Sequence, residues 1–265
     1  MKNKPWKILV LGCLICVIAS CREKIDEKTS ETIEEEIQSN DGFASIFDGN
    51  SLENWNGDTT YWRAENDVLV GEITPETLLE NNTFIIYESD EPADFELKAE
   101  FRISKDGNSG INYRSEQLDT IPFALRGYQA DIDGNHRYTG QNYEERKRTT
   151  LAYRGEKAEI ASPENPDVPG SLEANVERNA WKNREVLESL GHMDSLKTKI
   201  NSSDWNKIHL IVKGNRMQHY VNGILMSEVI DNDSINRKAS GKLGMQVHVG
   251  PPMKVEYRNI MLKKL

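Results

Sequence analysis

Strict alternation between apolar and charged residues is the feature that most limits what this chain can fold into. In FELKAEFRI (95–103), every odd-numbered residue is apolar and every even-numbered residue is charged. Successive side chains of a β-strand point to opposite faces, so this segment predicts an antiparallel strand with one face in a core and one in water. A helix would spread the apolar residues around its whole circumference and bury none of them together.

Turn signals divide the rest of the globular part into similar strands. The predicted turns are Asn66-Asp67 within 61–71, KGNR (213–216) between 208–212 and 217–221, and Asn222-Gly223 before 224–229. Asn-Gly is among the strongest hairpin signals. Segments 243–249 and 255–262 predict two closing strands, with a bulge where the apolar phase slips between Tyr257 and Ile260. Many short strands joined by turns predict an all-β fold, a two-layer antiparallel sandwich.

One insertion interrupts this regularity. Residues 162–199 are polar, begin with Pro163, Pro166 and Pro169, and show some helical spacing over 172–190. We expect a loop with a short helix that lies over one end of the sandwich.

The first residues read as an export signal. Lys2, Lys4 and Lys7 precede an apolar run over 8–18, and Ala19-Ser20-Cys21 follows. The run has 11 residues, which is short of the ~20 needed to span a bilayer as a helix. Ile18-Ala19-Ser20-Cys21 resembles the lipobox of bacterial lipoproteins, so residues 1–20 are expected to be a lipoprotein signal peptide.

In that class of signal the lipid is attached to the first cysteine of the mature chain, here Cys21. The resemblance implies an exported lipoprotein at the periplasmic or cell surface, and Arg22 after the cysteine favours an outer-membrane anchor. Residues 21–40 are charged and poor in aromatic residues, which predicts a flexible tether. A short solvated helix over 31–38 is the alternative. Residues 41–265 then form one domain.

Charge and cysteine content exclude several functions. The formal charge of −10 becomes −13 once the three lysines of the signal are removed, so the mature surface repels nucleic acid and suits neutral ligands. Cys13 and Cys16 leave with the signal, which leaves only Cys21. The mature chain therefore has no internal disulfide, no thiol nucleophile and no cysteine-ligated metal site.

A series of short motifs carries a family resemblance. In order they are IFDGNSLENW (46–55), WRAENDVLVG (62–71), NSGINYRS (108–115), GYQADI (127–132), YTG (138–140), WNK (205–207), HYVNG (219–223) and GPPMKVEYRNI (250–260). From about residue 42 to 265, the chain resembles the 3-keto-disaccharide hydrolase domain family, whose fold is a concanavalin-like jelly roll. Many members carry Glu where Gln129 stands here, so a role tied to that carboxylate is not transferred.

The resemblance implies cleavage of glycosides whose sugar carries a ketone at C3. Such a ketone acidifies the hydrogen on C2, so a base can remove it while the aglycone leaves C1, and water then adds. The protein must supply a base, a donor or cation for the enolate oxygen, and an acid for the leaving oxygen. A conventional glycoside hydrolase and a non-catalytic, lectin-like glycan-binding module are the alternatives.

Candidates for this chemistry concentrate between residues 108 and 154. Alternation places Gln129, Asp131 and Asp133 on the face opposite Tyr128, Ala130 and Ile132, and places Asn112 and Arg114 on one face. If the two strands are neighbours, Arg114 and Asp131 are expected to meet inside the concave sheet. We expect Asp131 or Glu144 to be base or acid, and Arg114 to clamp the enolate or a hydroxyl, because its fork presents several fixed donors. The catalytic candidates are Asp131, Glu144, Arg114, Glu72 and His248.

Each candidate also has a structural alternative. An Asp–Arg pair on neighbouring strands can be purely structural, Glu144 can lie in a solvated loop, and His248 can be a hydrogen-bonded structural histidine. The substrate-binding candidates are Asn112, Tyr113, Arg126, Gln129 and Tyr143. Asp131, Asp133 and His136 carry ligand atoms for a divalent ion, but their spacing matches no closed metal site, so a metal requirement stays open. Oligomeric state is open as well.

Overall fold

The computed structural model describes residues 41–163 and 183–265, and residues 42–265 form one compact unit. The unit is built almost entirely from strands. The strands are β1 Ala44–Ser45, β2 Trp55–Asn56, β3 Trp62–Glu65, β4 Val68–Ile73, β5 Thr83–Tyr87, β6 Phe95–Ile103, β7 Asn108–Gln117, β8 Leu125–Asp133, β9 Asn142–Glu145, β10 Thr149–Ala152, β11 Glu156–Ile160, β12 Arg184–Ser189, β13 Asn206–Lys213, β14 Arg216–Val221, β15 Ile224–Asp231, β16 Lys242–Val247 and β17 Met253–Lys264.

These strands form two sheets. A ten-stranded sheet runs β12-β11-β15-β14-β13-β6-β17-β4-β3, with β1 beside β17, and a seven-stranded sheet runs β10-β9-β8-β7-β16-β5-β2. Nearly every pairing is antiparallel, and β11 beside β15 is parallel. The two-layer β-sandwich expected from the alternation is therefore confirmed.

The predicted turns form with the backbone that their residues favour. Asn66 and Asp67 join β3 to β4 with φ of 52° and 62°, and Asn222 and Gly223 join β14 to β15 with φ of 51° and 79°. Positive φ at both central positions defines the type I′ hairpin turn. The bulge expected near the end of the chain is also present, because the β6–β17 register shifts between Arg258 and Met261.

The core fills the space between the sheets. The apolar side of β6 is buried there, as expected, against Ile111 and Tyr113 of β7 and Tyr128, Ala130 and Ile132 of β8. Alternation then turns Asn108, Gly110 and Asn112 of β7 and the odd-numbered residues of β8 to the other side of the seven-stranded sheet. We call that side the outer face.

The insertion differs in part from its prediction. A segment expected to have helical character instead forms β12, an exposed edge strand beside β11. The short helix, α1, lies further along at Met193–Lys197, with His192 as its N-cap. Residues 164–182 lie outside the described residues, as do residues 1–40 with the expected signal, tether and Cys21. Within the described ranges, no helix has the length and apolar character needed to cross a membrane.

Candidate functional site

A polar pocket opens on the outer face of the seven-stranded sheet. Its volume is about 280 Å³, near the lower end of the range of small-molecule sites. The lining residues are Asn108, Gln129, Asp131, Tyr138, Gln141, Tyr143, Glu145 and His248. Amides, tyrosines, two carboxylates and a histidine offer hydrogen bonds and stacking surface, a composition suited to a hydroxyl-rich ligand.

The alternation of β8 brings Asp131 and Gln129 into the pocket, on the side that the sequence predicted. Asp131 is opposite Gly110 of β7, and the glycine leaves room for a neighbouring side chain. A Cβ at residue 110 would lie 2.5 Å from Cγ of Gln129. The Gln129 side chain therefore lies across Gly110, where its amide reaches Asp131.

Asp131 is buried and is held by neutral donors. Nε2 of Gln129 donates to Oδ1 at 2.6 Å, and Nε2 of Gln141 donates to Oδ2 at 2.5 Å. Burial raises the pKa of Asp131 to about 8, partly offset by these two hydrogen bonds, and the nearby Glu145 and Asp133 also raise it. No lysine or arginine is among the described residues that line the pocket. Asp131 is consequently a stronger base than an ordinary carboxylate.

Glu145 is a second pocket carboxylate that is not among the candidates predicted from the sequence. Nδ2 of Asn82 donates to Glu145 Oε1 at 3.0 Å, and Asn82 Oδ1 accepts the backbone N–H of Val249 at 2.9 Å. Asn82 thus ties the β9 wall of the pocket to the segment that carries His248. The alternation of Tyr143 with Glu145 was the available signal, since both face the pocket.

His248 and Tyr143 lie in the pocket, as their candidate roles require. His248 is half-buried, and its Nδ1 lies 2.6 Å from the backbone oxygen of Val249. Because a carbonyl can only accept, Nδ1 carries the proton. Burial raises the pKa of the Tyr143 hydroxyl, so this residue stays a neutral donor. Tyr138, which is 42% exposed, offers an aromatic surface at the pocket.

The structure does not bring Glu144, a predicted catalytic residue, into the pocket. Glu144 faces the core side of β9 with no solvent exposure, and it pairs with Arg148 at 2.5 Å. Arg148 also binds Asp231 at 2.7 Å and Asp233 at 3.2 Å. We call this group, with Lys147 at 3.5 Å from Glu144, the buried ion cluster. None of its members is among the described residues that line the pocket.

Arg114 does not meet Asp131, so the expected pair between these two side chains does not form. Its guanidinium donates to the backbone oxygens of Ala93 at 2.8 Å and Gly214 at 2.7 Å, and it pairs with Asp94 at 3.0 Å. The physical reason is local: the β7–β8 register shifts after Tyr113, and Arg114 has a φ of 45°. Arg114 therefore joins β7 to loops of the other sheet.

Four more candidates lie away from the pocket. Glu72 pairs with Arg63 at 2.7 Å, and the exposed Arg126 pairs with Glu116. Asn112 is buried on the outer face, where its Nδ2 lies 3.3 Å from Ser115 Oγ. Tyr113 stacks on Tyr128 inside the core, with 5.5 Å between ring centroids. Of the five proposed sugar contacts, Gln129 and Tyr143 line the pocket.

The residues considered for a divalent ion do not come together. Asp133 Oδ1 accepts the backbone N–H groups of Tyr138 and Thr139 at 2.8 and 2.9 Å, and its Oδ2 accepts that of Arg137. His136 Nε2 lies 3.0 Å from Ser202 Oγ. Within residues 41–163 and 183–265, no group of three or more His, Cys, Asp or Glu side chains is arranged to hold a metal.

Comparison with known proteins identifies the family. The model of the 3-keto-alpha-glucoside-1,2-lyase-like domain matches residues 42–263. The chain belongs to this family, as the sequence motifs indicated. Membership makes it a carbohydrate-acting protein with a jelly-roll β-sandwich. A search of proteins with curated functions gave no match.

Solved structures share the fold at low sequence identity. Two proteins of Parabacteroides distasonis ATCC 8503, provisionally named glycosyl hydrolases, have TM-scores of 0.53 and 0.51 at 16% and 18% identity. The first comparison covers 84% of this chain and 99% of the other, and the second covers 88% and 96%. The carbohydrate-binding module CBM66 of Bacillus subtilis is more distant, with a TM-score of 0.46 at 15% identity over 80% of this chain and 96% of the module.

Proposed function

We propose that this protein cleaves 3-keto-glycosides by base-assisted elimination, followed by addition of water to the product. The observation that carries the proposal is a buried carboxylate, Asp131, held by neutral amides in a pocket of sugar-ring size. Family membership supports the substrate class.

Asp131 is the base in this proposal. Removal of the hydrogen on C2 places the C–H electron pair in an enolate, with its charge on the C3 oxygen. The pair then forms the C1–C2 double bond as the C1–O bond breaks, and the aglycone oxygen takes a proton. A pKa near 8 keeps Asp131 basic enough for this step while a useful fraction is ionised near neutral pH.

Other pocket residues supply the remaining groups. Glu145 is the acid for the leaving oxygen, because it is the other carboxyl group among the described residues that line the pocket, and Asn82 holds it in place. Asn108 and Tyr143 are the donors available for the enolate oxygen. Water adds to C1 of the enone, and a proton returns to C2. The net reaction is hydrolysis.

Substrate comparison tests the proposal. The purified protein is incubated with a nitrophenyl glycoside and with its 3-keto form, and nitrophenol release is followed. We expect release only from the ketone. Equal release from both would instead support a conventional hydrolase, which Asp131 and Glu145 could serve as a carboxylate pair. Saturable binding of glycans without any cleavage would support the lectin-like alternative.

Substrates with different leaving groups distinguish the proposed roles of Asp131 and Glu145. Glu145→Gln is expected to cleave a 3-keto-disaccharide poorly and the 3-keto nitrophenyl glycoside nearly normally, because nitrophenolate leaves without a proton. Asp131→Asn is expected to fail with both substrates. Equal losses for Glu145→Gln on both would remove Glu145 from the acid role.

We also propose that the protein is exported and anchored through a lipid on Cys21. The signal-like pattern of residues 1–21 supports this. Metabolic labelling with a radioactive fatty acid tests it: wild type is expected to carry label in the membrane fraction, and Cys21→Ala is expected to carry none. Label on Cys21→Ala would contradict the assignment.

A further inference from the structure

A buried polar cluster lies on the core side of the pocket, and the proposed reaction does not use it. It comprises His219 of β14, on the ten-stranded sheet, with Tyr113 of β7 and Asn142 of β9. All three have no solvent exposure. Burying polar groups is costly unless they are hydrogen-bonded, and apolar residues could fill the same volume. In this cluster, the polar groups are hydrogen-bonded to one another and to the backbone of Gln141.

Hydrogen bonds fix the protonation of His219. Its Nδ1 lies 3.2 Å from the backbone oxygen of Gln141, which can only accept, so Nδ1 carries the proton. Nε2 therefore accepts from the Tyr113 hydroxyl at 2.9 Å. The hydroxyl in turn accepts from Nδ2 of Asn142 at 3.0 Å. Burial lowers the pKa of His219 to about 4, so the ring stays neutral.

The Gln141 backbone connects this cluster to Asp131. The carbonyl that accepts from His219 also accepts the backbone N–H of Asp131 at 3.3 Å. The side chain of the same residue donates to Asp131 Oδ2 at 2.5 Å. Gln141 precedes β9, directly after Gly140, whose φ of 92° suits a glycine. His219 thus anchors Gln141, the last residue of the loop that leads into β9.

We propose that His219 is a positioning residue: from the opposite sheet, it fixes Gln141 so that the Gln141 carboxamide stays on Asp131. This rests on the proposed function only for its kinetic readout. The proposal also assigns a purpose to Tyr113, which orients the His219 ring. Neither residue touches the pocket.

Several titratable groups surround Asp131 and influence its pKa. Glu145 and Tyr143 face it from β9, Asp133 lies on its own strand, and His248 lies across the pocket after β16. None of these is a hydrogen-bond partner of His219, whose partners among the described residues are Gln141, Tyr113 and Asn142. A change at His219 therefore reaches Asp131 through the Gln141–Asn142 segment, whose Gln141 side chain donates to Asp131.

Two variants distinguish the roles of Nδ1 and Nε2 of the His219 ring. His219→Asn places an amide N–H near the position of Nδ1 and keeps a donor for the Gln141 carbonyl. His219→Gln places an amide near the position of Nε2, keeps the Tyr113 contact and loses that donor. Asp131 is followed by carbon-13 NMR of its carboxyl in the free protein, assigned with Asp131→Asn. We expect His219→Asn to titrate as wild type, and His219→Gln to titrate about half a unit higher, since a donor to the ionised form is loosened.

Equal titration in wild type and both variants would overturn the proposal. His219→Phe serves as a second variant without the donor, with a ring of similar volume, and is expected to behave as His219→Gln. Ser109→Ala is the matched control: it removes buried contacts to Gln246 and Tyr257 in the same core. It is expected to lower the melting temperature and leave the Asp131 titration unchanged.

Kinetics give an independent readout. In His219→Gln, the rising limb of the kcat/KM profile on a 3-keto-glycoside is expected to shift to higher pH by the same amount, with KM unchanged. Without any 3-keto activity, the NMR result still decides the role of His219, so the two proposals fail separately. An unchanged limb in an active His219→Gln enzyme would refute the positioning role.

Discussion

Asp131 and Glu144 are carboxylates on neighbouring strands, and their surroundings are opposite. Asp131 faces the pocket and receives hydrogen bonds from two neutral amides. Glu144 faces the core side and is bound by Arg148 within the buried ion cluster. A guanidinium beside a carboxylate stabilises its charge and removes its basicity, whereas burial among neutral donors keeps the proton available. The surroundings of Asp131 are suited to proton transfer, and those of Glu144 are suited to holding β9 and β10 against β15.

Asp131→Asn gives the largest expected effect. We expect kcat/KM on a 3-keto-glycoside to fall about 10²- to 10⁴-fold, the usual contribution of a positioned base. The fold should persist, because Gln129 Oε1 has no hydrogen-bond partner among the described residues and the Gln129 amide can turn to accept from the new Asn. Circular dichroism checks the fold. A variant that keeps wild-type activity would remove Asp131 from the mechanism.

Arg148→Met tests the other side of the comparison. It leaves Glu144, Asp231 and Asp233 buried together without the guanidinium that they share. Lys147 stays near Glu144, and Arg237 donates to the backbone oxygen of Asp231. Losing the charged partner of a buried pair costs about 3–5 kcal/mol, so the free energy of unfolding should fall by that amount in urea titrations. Activity per folded molecule should stay normal. A stable variant with impaired catalysis would mean that the cluster serves the reaction.

Stability should depend on pH through Asp131. The folded protein holds its proton up to about pH 8, whereas an ordinary Asp releases it near 3.8. Between pH 3.8 and about 8, the folded protein therefore binds one proton more than the unfolded chain. The stabilisation of the fold by this proton is complete below pH 3.8 and is lost progressively as the pH rises through 8. Wild type should lose roughly 1 kcal/mol per pH unit relative to Asp131→Asn between pH 6 and 8. Parallel urea titrations of both proteins over this window measure it, and equal slopes would contradict a raised pKa.

Arg126→Ala should have the smallest effect. Its pair with Glu116 is exposed, and such pairs contribute ~0–1 kcal/mol. We expect unchanged KM and kcat and a melting temperature close to that of wild type. A raised KM would restore Arg126 as a sugar contact.

The sequence predicted the fold better than the site. Alternation placed the strands, and it put Asp131 on the side opposite Tyr128 because β8 is long and regular. It misplaced Arg114 because a register shift after Tyr113 breaks the count of faces. In the four-residue β9, alternation groups Glu145 with Tyr143 and sets Glu144 on the other face, but so short a pattern does not show which face lines the pocket. Asn82 reaches the pocket from before β5, a contact between distant parts of the chain that no local pattern records.

Deuterium at C2 of a 3-keto-glycoside tests the central claim most directly. The rates for the protio and deuterio substrates are compared in one competitive reaction, which reports kcat/KM. Proton abstraction by Asp131 predicts that the deuterated substrate reacts severalfold more slowly. Equal rates would show that the C2–H bond is not broken in any rate-limiting step up to the first irreversible one, and would contradict elimination that begins with proton abstraction by Asp131.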